Sequence, residues 1–428
     1  MNASASTNTL AATAALEGSL RAIVGQQHLR AAVEADEVAG MRPHFVAEPA
    51  AERELATVLR LATNAGFSVI PRGGGTKLGW GNPPARADLI LSTSRLNKII
   101  EHAWADLTVS VEAGCTIEKL QATLAQHGQR LALDALWPAR ATIGGILSSN
   151  DSGSLRLRFG ALRELIIGVT LALSDGTLAS SGGKVVKNVA GYDLQKLATG
   201  ALGTLGVITR AVFRVHPIPK TSKTFSISTQ TFEESQRVLS TVQDSKLAHT
   251  ALHVRAASDA RPSVDVLFEG TEAGLTAQEV QLKKLLAPNA LSDFPSAVWN
   301  AREDLWKNSD SAAIAKFSVL PVEIAQTLEY IQRLGTRYQS SWQASVEAFG
   351  IGWLRLDGSP QNLYSASQEL RAQLESKSGS LILLHRPPTL LMFDAWGSTG
   401  DALPLMRAVK HQLDPKNTLN PGRFLGGI

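Results

Sequence analysis

The sequence predicts an α+β protein of two main units, and three observations predict it. Between residues 40 and 219 short strand and helix signals alternate and are punctuated by glycine clusters. From about 220 to 400 glycine thins out and strand and helix signals separate into longer runs. The 428 residues are 44% hydrophobic and 19% charged, enough for sizeable cores, and at roughly 150 residues per domain the length suits two or three units. Disordered and fibrous chains are thereby excluded. No apolar run approaches the roughly 18 to 20 residues of a membrane helix.

Charge and cysteine narrow the class. The net charge is only +4, too small for a nucleic-acid footprint and without a recognisable module for one. Asp151 to Lys220 nevertheless holds nine basic and four acidic residues, a local positive field suited to an anionic small molecule. The single cysteine, Cys115, excludes an internal disulfide and fits a reducing compartment. A soluble, cytoplasmic protein is expected, with any membrane association made through a partner subunit. Met1 to Leu16 carries no charged side chain and reads as a disordered leader; residues 1–39 are taken as leader and N-terminal helix.

The elements follow in order. Leu55, Val58, Leu59 and Ala62 recur at helical spacing, Gly66 supplies the stop, and Phe67 to Ile70 is a strand. Asp88 to Ser92 and Thr108 to Ala113 are further strands, and Thr116 caps a helix carrying Ile117, Leu120 and Leu124. Ile166 to Leu173 and Thr177 to Ser180 make a hairpin over Asp175-Gly176, and Val207 to Val215 alternates as a half-buried strand. Pro217 to Pro219 marks a boundary. Beyond it come strands at Thr224 to Ser228, Ala251 to Ala256, Val264 to Phe268, Ile351 to Leu356 and Leu381 to Leu384. Helices are expected at Phe232 to Val242 and around Leu282, Ile324 and Leu405 to Leu413, ahead of an irregular tail from Asn417 to Ile428. Five of the eight tryptophans fall in this second unit, at 299, 306, 342, 353 and 396, for core packing or a partner surface.

The loop Arg72 to Gly81 carries five glycines directly after a strand. It ends in no Gly-Lys-Ser/Thr and lacks dinucleotide Rossmann spacing. Consecutive glycines still expose backbone N–H groups on one concave side, which is what a pyrophosphate needs. The run Pro71-Arg72-Gly73-Gly74-Gly75-Thr76, then Pro138 and Thr142-Ile143-Gly144-Gly145, resembles the FAD-binding domain of the vanillyl-alcohol oxidase family, also called the p-cresol methylhydroxylase type. Gly191-Tyr192-Asp193-Leu194, Gly203-Thr204-Leu205-Gly206-Val207-Ile208 and Asp414-Pro415 to Leu419-Asn420-Pro421-Gly422 are similar to that family's closing stretches. Within the family the likeness is nearest to the E-type subunit of bacterial glycolate oxidase.

The resemblance implies a two-subdomain FAD-binding domain at 40–219, an α+β cap with an antiparallel sheet at 220–400, and a C-terminal segment, 401–428, returning to the flavin. It implies that Arg72, Gly73, Gly74, Gly75, Thr76 and Lys77 hold the pyrophosphate. Pro138, Thr142, Ile143, Gly144 and Gly145 with Asn150, Ser152 and Gly153 line the ribityl chain and ring, Val207 and Ile208 offer backbone groups, and Asn420 returns from the tail. Lys184 and Lys187 are candidates for stabilising a reduced ring. Family members with covalent FAD often carry a histidine in or near the first loop, and none stands between Arg72 and Gly81, so FAD is expected to be noncovalent.

The chemistry implied is oxidation of a small 2-hydroxy acid, glycolate in the first instance. That reaction needs a cation for the carboxylate and a base for the hydroxyl proton; Arg355 and His385, at strand ends, are the candidates. The Glu-His-Gly stretch and metal-binding histidines of related D-type subunits are missing; His249 and His253 are four apart, as helical zinc ligands would be, but no Glu follows His249 and the segment reads as a strand, so no metal is expected. One cysteine cannot hold an iron–sulfur cluster, so electrons are expected to leave through a D-type flavoprotein and an iron–sulfur subunit. Two other readings stay open: an assembly subunit whose FAD is structural, and an NADPH-dependent flavin reductase of the same fold.

Overall fold

The computed structural model describes residues 14–184, 192–289, 291–293 and 296–428. Among them three sheets, of four, five and eight strands, carry the architecture. Helix α1 (14–24) drops Leu16, Leu20 and Val24 into the core of the first sheet. That sheet joins β1 (Leu29–Ala31), β2 (Phe45–Ala47), β3 (Val69–Arg72) and β4 (Leu89–Ser92) in the order β1-β2-β4-β3, with β2, β4 and β3 parallel. The crossover is α2 (Glu52–Ala65), which buries Leu55, Val58, Leu59 and Ala62. Each aliphatic side chain so buried contributes about 1.5–3 kcal/mol. Gly66, at φ 74°, ends the helix in the left-handed region that favours glycine.

The N-terminal expectation changes here. Leu16 belongs to a buried helix face, and β1 pairs antiparallel with β2, so residue 40 falls inside the first sheet. Residues 1–13 lie outside the described residues.

The second sheet takes β5 (Ile99–Ala103), β6 (Thr108–Glu112), β8 (Ile166–Ala172), β9 (Leu178–Gly182) and β10 (Val207–Arg214) in the order β5-β6-β10-β8-β9. Between them lie α3 (Ile117–Ala125), β7 (Gln129–Arg130), α4 (Ile143–Ser149), α5 (Arg156–Phe159), α6 (Leu162–Leu165) and α7 (Leu194–Ala198). Strand β7 pairs with β11 (His216–Pro217). Thr116 caps α3 by accepting from the Lys119 amide. Sequence reading missed β5 because its residues are only half-buried and carry no alternation.

The third sheet is antiparallel, in the order β15-β12-β14-β13-β17-β18-β16-β19. Its strands are β12 (Thr221–Ser228), β13 (His249–Ala257), β14 (Ala260–Gly270), β15 (Ser292–Asp293), β16 (Ala313–Ser318), β17 (Ser341–Glu347), β18 (Ile351–Asp357) and β19 (Ser380–His385). The helices of this unit are α8 (Phe232–Gln243), α9 (Glu272–Leu286), α10 (Ala301–Asp304), α11 (Ile324–Arg337) and α12 (Pro360–Glu375). Helices α8, α9, α11 and α12 cover one face in a single apolar core that includes Leu354 and Leu356. Side chains alternate along a strand, so Trp353 points the other way and packs with Trp80, Leu136, Leu305 and Leu384. The second face of the large sheet therefore closes over the glycine-rich unit. Finally α13 (Leu403–Leu413) leads into the tail, where Leu419 bridges Val69 beside β3. Among the described residues no helix is long and apolar enough to cross a membrane.

Candidate active site

Two adjoining cavities lie where these elements meet, each enclosing about 700 Å³ with its open mouth included. The first is lined by Arg72 to Lys77, Thr142, Gly144, Gly145, Val207, Ile208 and Asn420. Asn150 and Ser152 line the second, and Ser149 and Leu202 line both. Three of the residues named from sequence line neither cavity. Pro138 is exposed, its carbonyl accepting from the Glu118 amide at 3.0 Å. Ile143 is fully buried in the apolar core beneath α4. Gly153 is held by Asp134, to which its amide donates at 2.9 Å.

Glycine is required where the first loop meets the second. A Cβ on Gly73 stands 2.0 Å from Thr142 Oγ1, and one on Gly74 stands 1.7 Å from the Arg140 carbonyl oxygen. The two segments thus touch backbone to backbone. Among the described residues none of the N–H groups of Gly73 to Lys77 donates to a protein acceptor. The second segment differs. The amides of Ile143, Gly144 and Gly145 already bond Cys115 O, Ala113 O and Thr142 Oγ1. It buttresses the first loop.

The loop's two cations line the first cavity and each also has a carboxylate partner. Arg72 is turned to Asp36, at 2.6 Å, and that carboxyl is held well below its usual range, against the effect of burial, by hydrogen bonds from Arg30 first, then from the Val33 amide and Arg72. Lys77 is buried 3.1 Å from Asp151, between the rings of Trp80 and Trp137. The charge left over belongs to Arg423, which sequence reading missed. It is buried, forms no ion pair among the described residues, and donates to the carbonyls of Leu78, Trp80 and Asn82. Burial, with Arg386 nearby, pulls its pKa down to about 10. Replacing Arg423 by methionine strips three buried carbonyls of a donor at roughly 1–3 kcal/mol each. Flavin affinity, measured by fluorescence of free against bound cofactor, is expected to fall at least about ten-fold.

The tail is folded by its own motif. Asp414 accepts from Lys410 at 2.6 Å and from the amides of Thr418 and Leu419 at 3.0 and 2.7 Å. This turn delivers Asn420, whose amide donates to Val69 O at 3.0 Å and whose side-chain nitrogen donates to Leu202 O. Asn420 Oδ1 is left buried at the cleft wall without a partner among the described residues.

The second cavity gathers Trp80, Trp353, Trp396, Phe424, Asp151, Arg302 and Lys316. Arg302 lies 2.7 Å from Asp151. Burial works to raise the Asp151 carboxyl, but Arg302 and Lys77 outweigh it and hold the group below its ordinary value. Lys316 sits mid-strand with its ammonium 5.8 Å from the Trp353 ring, and among the described residues it has no carboxylate partner. Burial lowers its pKa to about 8. Sequence carried one sign of it: a lone cation inside the apolar strand Ala313–Ser318.

The candidates Arg355 and His385 are corrected. Arg355 is spent on Asp357 at 2.7 Å and on the carbonyls of Leu305, Lys307 and Asn308. His385 packs edge-on to Trp306 and lines neither cavity. Lys184 pairs with Glu101 in the open, away from both cavities; Lys187 and Gly191 lie outside the described residues. His253 is committed to Asp265 at 2.9 Å, and no metal-ligand cluster occurs among the described residues. Of the five tryptophans, Trp342 and Trp353 are buried and the other three half-buried.

Glu347, His253 and Asp265 occupy opposed positions on three neighbouring strands. Ser154 of the first unit donates to one Glu347 oxygen at 2.7 Å, and the other oxygen has no partner. Burial pushes this carboxyl from 4.5 up to about 7. The folded chain then holds a proton that the unfolded chain has lost. Stability therefore falls as pH rises between about 4.5 and about 7, by at most roughly 1.4 kcal/mol per unit. Glu347→Gln is expected to flatten that part of the profile in urea unfolding at pH 5 to 8; an unchanged slope contradicts the assignment.

Comparison with known proteins agrees with this geometry. Residues 43–182 match the FAD binding domain family. The chain is 26% identical to D-2-hydroxyglutarate dehydrogenase of Xanthomonas citri pathovar viticola, over 89% of either chain. It is 26% identical to the mitochondrial D-lactate dehydrogenase (cytochrome) of Arabidopsis thaliana, over 90% of this chain and 73% of that one. With glycolate oxidase subunit GlcD of Bacillus subtilis it shares 30% over 49% of this chain, spanning under half of that relative. In fold it is similar to 4-ethylphenol oxidase from Gulosibacter chungangensis, with TM-score 0.76, 14% identity and 96% and 97% of the two chains covered. FAD suits the first cavity as found: five unbonded amides, an unmatched buried guanidinium and an orphaned amide oxygen converge on it.

Proposed function

We propose that the chain is an FAD-dependent oxidoreductase of the p-cresol methylhydroxylase type acting on a 2-hydroxy acid, on the footing that residues 43–182 match the FAD binding domain family. The observation that carries the reading is the ammonium of Lys316, without a carboxylate partner, in a cavity that shares Ser149 and Leu202 with the flavin cleft. The names of the relatives, dehydrogenases of D-2-hydroxyglutarate and D-lactate, support the same class. When bound, FAD supplies the two-electron acceptor. The amides of Gly73 to Lys77 hold its phosphates, Arg423 stiffens that loop, and Asn420 completes the wall. Lys316 holds the substrate carboxylate. Arg302, fixed by Asp151, adds to the positive field, and the indoles keep water out.

We read the chain more finely as the flavin-bearing E-type subunit of a glycolate-oxidase-type complex, with noncovalent FAD. It would act in the cytoplasm beside a D-type flavoprotein and an iron–sulfur subunit, reaching a membrane only through them. The motif likeness, the absence of a Glu-His-Gly stretch and the single cysteine support this. Cys115 is buried in the core under β6 and lines neither cavity, which favours an unlinked flavin.

Anaerobic titration of the purified protein with glycolate and D-lactate tests the reading, and bleaching of the flavin band is expected. A flavin that stays oxidised with every 2-hydroxy acid, alone and in the reconstituted complex, leaves only a structural cofactor. Bleaching by NADPH instead would favour a reductase. Because the Lys316 ammonium loses its proton near pH 8, KM for the acid is expected to rise above that pH, by up to about ten-fold per unit. A KM flat to pH 10 contradicts the clamp.

A further inference from the structure

We propose that the second cavity selects a 2-hydroxy monocarboxylate with a flat apolar body, such as an aryl group, over glycolate and over dicarboxylates. This deepens the hydroxy-acid reading above and rests on it, with glycolate set aside as the preferred substrate. Charge and wall chemistry carry the inference together. The charged groups lining the cavity are Arg302, Lys316 and Asp151. Arg302 is paired with Asp151 at 2.7 Å, a carboxylate it shares with Lys77 at 3.1 Å, so among the described residues Lys316 is the lining cation that has no carboxylate partner. One carboxylate is matched there by an unpaired cation, whereas a second would be desolvated against neutral groups only, Ser149, Asn150 and Ser152.

The remaining wall combines aromatic rings with Leu202, Ile382 and Leu384 and with the neutral polar groups of Ser149, Asn150 and Ser152. Trp80, Trp353, Trp396 and Phe424 face the space. Trp396 and Phe424 meet edge to face at 4.7 Å, and the Arg302 guanidinium lies 5.0 Å over the Trp353 ring, which fixes that indole. Such surfaces gain when an apolar group covers them and are left wet by a two-carbon acid. A carboxylate on Lys316 places the rest of the molecule against these rings.

The test uses the flavin-bound chain and begins with acids that lack a hydroxyl and cannot be oxidised. Phenylacetate, acetate and glutarate are titrated, following indole fluorescence and the flavin absorption band. Phenylacetate is expected to bind at least about ten-fold more tightly than either of the others. Lys316→Met should abolish that binding, Lys316→Arg should restore part of it, and Trp396→Ala should narrow the gap between phenylacetate and acetate. Anaerobic reduction by both enantiomers of 3-phenyllactate, by glycolate and by D-2-hydroxyglutarate then follows.

Faster reduction by one phenyllactate enantiomer supports the proposal. Glutarate binding as tightly as phenylacetate, or glycolate reducing the flavin fastest, overturns it and leaves the hydroxy-acid reading standing. Tight phenylacetate binding with no reduction by any hydroxy acid has the opposite meaning: the pocket is right and the reaction is wrong. If Lys316→Met fails to fold, the acetate and glutarate comparison on the unmodified chain still decides.

Discussion

Gly74→Ala is expected to purify without flavin. Its Cβ would stand 1.7 Å from the Arg140 carbonyl oxygen and 2.8 Å from the carbonyl carbon, both main-chain atoms. Backbone cannot rotate aside as a side chain does, so the loop from Arg72 must lift off the segment from Pro138 to Gly145. The amides of Gly73 to Lys77, which have no other acceptor, then lose their common focus. Overpacking of this kind costs roughly 1–3 kcal/mol or more, so an FAD affinity about 100-fold lower is expected. Gly79, with no atom within 4 Å of its added Cβ, is the control: Gly79→Ala should stay yellow. Flavin-to-protein absorbance ratios read both variants, and equal ratios contradict the packing argument.

Asp151→Ala is expected to cause the largest loss of stability. The Asp151 side chain faces Lys77 at 3.1 Å and Arg302 at 2.7 Å, and accepts from the Leu136 amide at 2.9 Å. Removing it leaves two buried cations side by side. Breaking a buried ion pair typically costs about 3–5 kcal/mol, because a charge is left uncompensated. Urea unfolding should show a lower midpoint at an unchanged slope. A loss below about 1 kcal/mol would mean that water screens the cluster.

How far the sequence discloses this site depends on where the information lies. The first glycine loop was legible because a run of unbranched backbone after a strand has few uses, and the tail because Asp414 and Asn420 sit in one short motif. Thr116 and Gly66 marked helix ends through local chemistry. Arg302, Lys316 and Arg423 were not legible as a group. Their meaning comes from sheet register, which sets Lys316 beside Trp353, and from the closing of one unit on another. The opposite error has the same source. Arg72 and Lys77 look like free anion ligands in a linear reading, yet Asp36 and Asp151, 36 and 74 residues away, already pair with them. Arg355 looked free at a strand end until Asp357 and three carbonyls took its donors.

The most direct test is the cofactor content of the purified chain. One FAD per polypeptide, released into the supernatant by heat denaturation, is the predicted result. A colourless protein that stays colourless after incubation with excess FAD would contradict the account at its root.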